Sequence, residues 1–153
     1  MKIGFCSGCF DRFHTGHRFF LMQCAKNCDY LVVAVNRDDW VWAHKGIGER
    51  PFDDLKVRIA EVIHFGQRLM FNQTAEQAYA RFAVVPFDGD DYKLVWHTCP
   101  DVVFKGHDQE ADVMLASVPV MRFAQLPGFS TTLNASRSSD AEVDSPFHHN
   151  PSR

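Results

Sequence analysis

The segment Tyr30–Val35 constrains the fold more than any other, because its six residues are nearly all apolar and rich in β-branched side chains. A run without polar alternation is typical of a central parallel strand that is covered on both faces. A shorter apolar run, Ile3–Ser7, precedes it, and between the two runs Phe20, Cys24 and Cys28 recur at helical spacing. Strand, helix and strand within about 35 residues predict a βαβ unit with a right-handed crossover.

Two further helices are predicted downstream. The first begins at Pro51, carries acidic residues in its first turn, and has an apolar stripe formed by Leu55, Ile59, Val62 and Ile63. The second follows a capping-box sequence at 74–77 and extends through Phe82. The polar, glycine-containing stretch 36–50 is interpreted as a connection.

Three more strands complete the predicted sheet. They lie at Ala83–Val85, Val102–Phe104 and Val118–Phe123, and Ser130 is a candidate cap for a short last helix. Strands that alternate with helices predict an α/β fold with an open sheet of about five parallel strands and helices on both faces. Ligands of such sheets bind beyond the carboxyl ends of the strands, where the strand order reverses.

The chain is predicted to form one domain, residues 1–135, followed by a solvated tail, residues 136–153, which lacks periodicity. A formal net charge of -3 gives no reason to expect a nucleic-acid partner. No apolar run approaches the roughly 20 residues that cross a bilayer. The first residues show no signal-peptide pattern, so a cytoplasmic location is predicted.

The five cysteines form an odd set that does not resemble a secreted disulfide framework. Cys6 and Cys9, followed by His14 and His17, raise the alternative of a zinc site. Cys6 lies within a predicted buried strand, and the four side chains would have to converge across one tight turn. Small buried core residues are therefore the preferred interpretation of Cys6, as of Cys24.

The segment Gly8–His17 links the first predicted strand to the first predicted helix. Gly8 and Gly16 allow a ligand to approach the backbone closely, and free backbone N–H groups at a helix start favour anions. His14 and His17, three residues apart, can both face such an anion. Two histidines alone would be ordinary surface residues, but the complete ten-residue string favours an anion site.

This string, Gly-Cys-Phe-Asp-x-x-His-x-Gly-His, resembles the signature of the cytidylyltransferase-like nucleotidyltransferase superfamily. The resemblance covers roughly residues 2–132 and implies a Rossmann-like domain that transfers a nucleoside monophosphate from a nucleoside triphosphate to a small phosphorylated substrate. It implies that His14, His17 and Lys45 are catalytic and that Arg50 binds the substrate. The implied nucleotide-binding residues are Gly8, Cys9, Phe10, Asp11, Gly16, Gly106, Asp108, Ser130, Thr131 and Thr132.

Three later segments carry the rest of this resemblance. Lys45-Gly46 and Arg50-Pro51 stand three residues apart, where the heptose-phosphate members have two residues between the pairs. Gly106 and Asp108 follow the fourth predicted strand, and 127–132 resembles the family's Gly-x-Ser-Thr-Thr. The alternative interpretations are a solvated loop with ordinary surface charges, a simple turn and a simple helix cap, respectively.

Gly8–Asp11, Val33–Asp38 and Pro100–Asp108 look most like the enzymes that adenylylate heptose phosphates, which favours ATP and a sugar 1-phosphate. Glycerol-3-phosphate or another alcohol phosphate with CTP is the alternative, although Leu126-Pro127 stands where cytidylyltransferases commonly have Arg. A non-catalytic nucleotide-binding module is the alternative from another class. The resemblance also implies Mg²⁺, bound mainly through the nucleotide phosphates, and a homodimer.

Overall fold

Five parallel strands form one open sheet in the computed structural model, which describes residues 1–46, 48, 50–107, 109 and 117–128. The strand order is β3-β2-β1-β4-β5. The strands are β1 (Ile3–Gly8), β2 (Tyr30–Asn36), β3 (Arg81–Phe87), β4 (Val102–Gly106) and β5 (Val120–Phe123). The helices are α1 (Thr15–Lys26), α2 (Asp38–Lys45), α3 (Leu55–Phe71) and α4 (Asp91–Thr98). The predicted open parallel sheet is confirmed.

Helices cover both faces of this sheet. Leu21 of α1 and Val62 of α3 pack with Phe104 in one hydrophobic core, and Val95 of α4 packs with Phe5 in the other. β1 lies between β2 and β4, so the chain leaves the centre of the sheet in opposite directions before and after β3. The carboxyl ends of β1 and β4 therefore border the switch point at which ligands of such sheets bind.

The helix predicted to begin at Pro51 is correct in type, but it begins later, at Leu55, and corresponds to α3. Its N-cap is Asp54, whose side chain accepts a hydrogen bond from the backbone N–H of Val57 at 3.0 Å. Leu55, Ile59 and Val62 pack in the core as predicted. Ile63, assigned to the same stripe, is wrongly placed there: it is 40% exposed, because it lies a further 100° around the helix from Val62.

Two connections differ from the prediction. The helix predicted after 74–77 is absent from this described stretch: Thr74 Oγ1 accepts from the backbone N–H of Gln77 at 3.1 Å, but extended strand β3 begins at Arg81. Conversely, α2 lies in the stretch interpreted as a connection, and α4 was not predicted. Each has eight residues and buries few side chains, Val41 in α2 and Val95 in α4, so the apolar period is too short to recognise.

The predicted last helix after Ser130 and the tail 136–153 lie outside the described residues. Of the helices in the described part of the chain, none has both the length and the hydropathy of a membrane span.

Candidate active site

A cleft of about 310 Å³ opens at the carboxyl ends of β1, β4 and β5. This volume is within the range of small-molecule sites, about 300–1,000 Å³. The cleft brings together most of the predicted site residues, from segments that are far apart in the sequence. Its lining includes Gly8, Cys9, Phe10, His14, Gly16, His17, Lys45, Arg50 and Gly106.

His14 and His17 cap the start of α1 reciprocally. The backbone N–H of Gly16 donates to Nδ1 of His14 at 3.1 Å, and the backbone N–H of His14 donates to Nδ1 of His17 at 3.4 Å. The two rings stack with their centroids 3.7 Å apart. Because each Nδ1 accepts a hydrogen bond, a neutral ring carries its proton on Nε2. The helix cap therefore makes both histidines Nε2–H donors.

Both imidazoles are held in the neutral state. Burial, and secondarily His14 and nearby cations, lowers the pKa of His17 from 6.5 to about 3. Burial, with Arg18 second, also lowers the pKa of His14. The histidines thus offer hydrogen-bond donors at neutral pH, and the positive charge of the cleft comes from other side chains.

The Nε2 atom of His14 is buried and has no hydrogen-bond partner among the described residues. Buried polar atoms are nearly always hydrogen-bonded, and leaving one unsatisfied costs about 1–3 kcal/mol. A phosphate oxygen in the cleft would accept from this N–H. The unsatisfied donor is therefore a structural indication that the cleft holds an anion.

Two phenylalanines enclose the second histidine. The ring of Phe10 meets that of His17 edge-on, with the ring centroids 5.5 Å apart, and the ring of Phe13 stacks on it, with the centroids 5.7 Å apart. The ring of Phe10 also covers Gly8, where an added Cβ would lie 3.1 Å from it. These rings exclude water from His17, which explains its low pKa.

Two cations stand at the rim of the cleft. Lys45 is the last residue of α2, and Arg50 follows four residues after the helix cap Gly46. Both lower the pKa of His17 and of the Cys9 thiol through their charge. The different spacing of this loop has therefore not removed either cation from the cleft.

Asp11 does not line the cleft, although the family motif implies that it binds nucleotide. It is 1% exposed, and its carboxylate accepts hydrogen bonds from the backbone N–H groups of Phe52 and Asp53, at 3.0 Å in each case. It thereby fixes the chain immediately after Arg50. In this structure its contacts hold the cationic loop against the loop that follows β1.

Arg58 is a functional candidate that the sequence analysis missed. Its guanidinium donates to the carbonyl oxygens of Cys9, at 2.7 Å, and Asp53, at 3.0 Å, and pairs with Asp38 at 2.5 Å. The side chain is 1% exposed. It joins the loop after β1, the start of α2 and the segment before α3. The available signal was a charged residue on the apolar stripe, between Leu55 and Val62.

The opposite end of the cleft is more apolar. Phe20, Phe123 and Leu126 line it together with the amide side chains of Gln109 and Gln125. Gly106 is fixed beside them, since its N–H donates to Gln109 Oε1 at 2.9 Å. Apart from Gly106 these residues were not predicted. Asp108, Ser130, Thr131 and Thr132 lie outside the described residues.

No activated nucleophile or metal cluster is evident in the described residues. Burial raises the pKa of the Cys9 thiol, which keeps it protonated at neutral pH. No group of three or more histidine, cysteine or acidic side chains there could hold a metal ion. Hence the described side chains provide donors and cations around a space for phosphates.

Comparison with known proteins agrees with this geometry. The family profile described as cytidylyltransferase-like matches residues 5–127, which include the last four residues of β1, the two histidines and every later described element through β5. The chain belongs to this family. It is thus a member of the cytidylyltransferase-like family, and the family resemblance found in the sequence is confirmed.

Curated relatives include the bifunctional protein HldE of two bacteria. The protein of Hydrogenovibrio crunogenus is 31% identical over 152 residues, which cover 93% of this chain and 28% of the relative. That of Acidiphilium cryptum is 32% identical over 143 residues, which cover 89% of this chain and 27% of the relative. The chain therefore spans little more than a quarter of the length of these relatives.

Solved structures show the same fold. A lipopolysaccharide core biosynthesis protein from Thermoplasma volcanium is 27% identical, with a TM-score of 0.60 over 82% of this chain and 98% of its own. A bifunctional NMN adenylyltransferase/ADP-ribose pyrophosphatase from Francisella tularensis has a TM-score of 0.59 at 10% identity, over 94% of this chain and 42% of its own. At that identity the second likeness concerns the fold alone.

Proposed function

We propose that this protein transfers the adenylyl group of ATP to a sugar 1-phosphate of the heptose kind and releases pyrophosphate. The observation that carries the proposal is the buried, unsatisfied Nε2 of His14 in a cleft rimmed by Lys45 and Arg50. A triphosphate would accept a hydrogen bond from this donor and lie within the positive charge of Lys45 and Arg50. The base then occupies the more apolar end of the cleft, near Phe123 and Leu126.

The reaction needs no base from the protein. A phosphate monoester has a second pKa of about 6 and is largely dianionic at neutral pH. One of its oxygens attacks the α-phosphorus, and the bond from the α-phosphorus to the bridging oxygen breaks, so that the electron pair leaves with pyrophosphate. Nε2–H of His14 and of His17, together with Lys45, stabilise the charge that develops on the leaving group. No covalent intermediate with the enzyme is formed.

Magnesium is proposed as the cofactor, held mainly by the nucleotide phosphates. The described residues fit this arrangement, because the carboxylate of Asp11, the acidic residue of the motif, is engaged by backbone N–H groups. Bound Mg²⁺ would neutralise phosphate charge.

The choice of acceptor rests on sequence likeness. Gly8–Asp11, Val33–Asp38 and Pro100–Asp108 resemble the heptose-phosphate enzymes, and Leu126-Pro127 replaces the arginine common in cytidylyltransferases. The solved structure from Thermoplasma volcanium is described as a lipopolysaccharide core biosynthesis protein. CTP with glycerol 3-phosphate is the second candidate, because the same histidines and cations would serve it.

A direct comparison of the two substrate pairs tests the assignment. Steady-state kcat/KM is measured for ATP with heptose 1-phosphate and for CTP with glycerol 3-phosphate. We expect the first pair to be preferred at least tenfold, about 1.4 kcal/mol of transition-state stabilisation. A tenfold preference for the CTP pair would contradict the heptose assignment while leaving the reaction class intact.

The non-catalytic alternative is tested separately. Pyrophosphate release is measured with a panel of nucleoside triphosphates and sugar or alcohol phosphates. We expect release with at least one pair, dependent on both substrates. Nucleotide binding without release across the panel would favour a binding module.

A further inference from the structure

Trp40 of α2 packs directly against the loop that follows β3. Its indole ring lies so close to Gly89 that a Cβ added there would overlap the ring. Gly89 also has a φ of 97°, in the left-handed region that favours glycine. Both the backbone conformation and the contact with the indole therefore require a residue without a side chain at position 89.

His44, one turn further along α2, stacks on the same indole. The ring centroids of Trp40 and His44 are 4.0 Å apart, and the planes of the rings meet at 18°. Nδ1 of His44 lies 2.8 Å from the carbonyl oxygen of Trp40, and it donates there because a carbonyl can only accept. The stack and the hydrogen bond together attach His44 to Trp40.

The helix that carries this stack is short and depends on contacts with the rest of the chain. α2 has eight residues, and Val41 is its one buried residue. Helices shorter than about 12–15 residues are marginal in water on their own. Arg58 holds the first residue, Asp38, by an ion pair. The contact of Trp40 with Gly89, extended by His44, fixes the later part of the helix against the loop after β3.

The last residue of this helix is the cation Lys45, which lines the cleft. Lys45 lies five residues after Trp40, which is about 140° around the helix. α2 thus turns one side to the loop after β3 and another to the cleft. Because a lysine ammonium stands on a flexible four-carbon chain, its reach into the cleft depends on where the end of the helix is held.

We propose that Trp40 and His44 are positioning residues, which hold the end of α2 so that Lys45 reaches the phosphates of the nucleotide. Gly89 provides the surface on which the indole rests. This role rests on the function proposed above, in which Lys45 contacts the phosphates. It makes the loop after β3, which does not line the cleft, a determinant of phosphate binding.

A double-mutant cycle tests whether Trp40 acts through Lys45. The dissociation constant of inorganic tripolyphosphate, which has no base or ribose, is measured by calorimetry for the wild type, Trp40→Ala, Lys45→Ala and the double variant. We expect Lys45→Ala to raise the constant about tenfold or more, the typical effect of losing one hydrogen bond to a charged group. Trp40→Ala should raise it about threefold or more in the wild type but less than about twofold in Lys45→Ala, because residues that act through each other are not additive.

His44→Ala gives a second cycle at an exposed position, and it decides the matter alone if Trp40→Ala does not fold. It should weaken tripolyphosphate binding in the same direction, and again only while Lys45 is present. Trp42→Ala is the matched control, because Trp42 lies on the same helix and is 44% exposed. We expect this variant to bind tripolyphosphate like the wild type.

Two results would overturn the positioning role while leaving the proposed function intact. One is that Trp40→Ala and His44→Ala bind tripolyphosphate as tightly as the wild type. The other is that their effects are the same with and without Lys45. A Lys45→Ala protein that binds tripolyphosphate like the wild type would instead contradict the phosphate contact of Lys45, and the positioning role with it.

Discussion

At the scale of single residues, the two ring nitrogens of His14 differ in their contacts. Nδ1 accepts from the backbone and caps α1, whereas Nε2 is buried without a hydrogen-bond partner among the described residues, and we propose that it donates to a phosphate. His17 repeats this arrangement through its own Nδ1. The spacing of three residues follows from the capping geometry, in which an N-cap residue and the third helical residue satisfy each other's backbone. The same spacing lets the start of α1 fix the orientation of both rings, and therefore the direction of both Nε2–H groups.

The low pKa of His17 predicts an acid-sensitive fold. The folded state holds the ring neutral down to about pH 3, whereas in the unfolded chain it takes up a proton below about 6.5. The stabilisation is therefore complete above pH 6.5 and is lost as the pH falls toward 3, with a slope of up to about 1.4 kcal/mol per pH unit.

Urea denaturation of the wild type and of His17→Gln between pH 7 and pH 4 measures this effect. We expect the stability difference between the two proteins to change with pH, because only the wild type loses the neutral-imidazole contribution. His97→Gln, at an exposed position on α4, is the control and should follow the wild type. Parallel pH profiles for all three proteins would show that His17 titrates normally.

At the scale of elements, Arg58 holds together three segments that approach the cleft. Arg58→Met leaves Asp38 and two carbonyl groups without their partner, so we expect the free energy of unfolding to fall by about 3 kcal/mol or more. Arg37→Met is the matched control, because the Arg37–Asp39 pair is exposed and 3.7 Å long, and it should cost about 1 kcal/mol at most. Urea denaturation of both variants measures the two losses of unfolding free energy. Equal, small losses would show that Arg58 does not hold these segments together.

The contact of α3 with β3 depends on a glycine inside the helix. Helix propensity alone predicts that Gly66→Ala stabilises by about 1 kcal/mol. A Cβ there would lie 2.7 Å from the Phe82 ring, and such overpacking typically costs about 1–3 kcal/mol. We therefore expect Gly66→Ala to lower the melting temperature. Gln67→Ala, at an exposed neighbouring position, is the control and should leave the melting temperature nearly unchanged. A higher melting temperature for Gly66→Ala would mean that Phe82 moves away without cost.

Helices and strands could be predicted from the sequence where their apolar pattern extends over enough residues to be recognised. β2 is buried over six of its seven residues, and its sequence shows this directly. α2 and α4 bury too few side chains to produce a period, and Thr74 forms the hydrogen bond of a helix start without a helix. For the site, the histidines carry a motif that is local in sequence. Arg58, Gln109 and Leu126 reach the cleft region only through tertiary contacts, which no local pattern records.

At the scale of the whole molecule, the strand order brings the site together. β1 lies beside both β2 and β4. The loops after β1, β4 and β5 therefore meet at one edge of the sheet, where Lys45 and Arg50, which follow β2, join them. The sequence predicted parallel strands, and therefore a shared edge, but not which strands are neighbours.

The predicted tail supplies a whole-chain test. Its sequence lacks apolar periodicity, so we expect deletion of residues 140–153 to change the melting temperature and kcat very little. Thermal denaturation and pyrophosphate release of the truncated chain check this. A fall of several degrees would show that the tail contributes to the folded domain.

The central claim is that Nε2 of His14 is a donor to the phosphates, separate from its role as a helix cap. His14→Asn separates the two roles, because asparagine is a good N-cap but places no donor at the Nε2 position. We predict a melting temperature within a few degrees of the wild type. We also predict a fall in kcat for pyrophosphate release of about 100-fold or more, the typical effect of losing one such donor. A kcat close to that of the wild type, in a stably folded His14→Asn protein, would contradict the account.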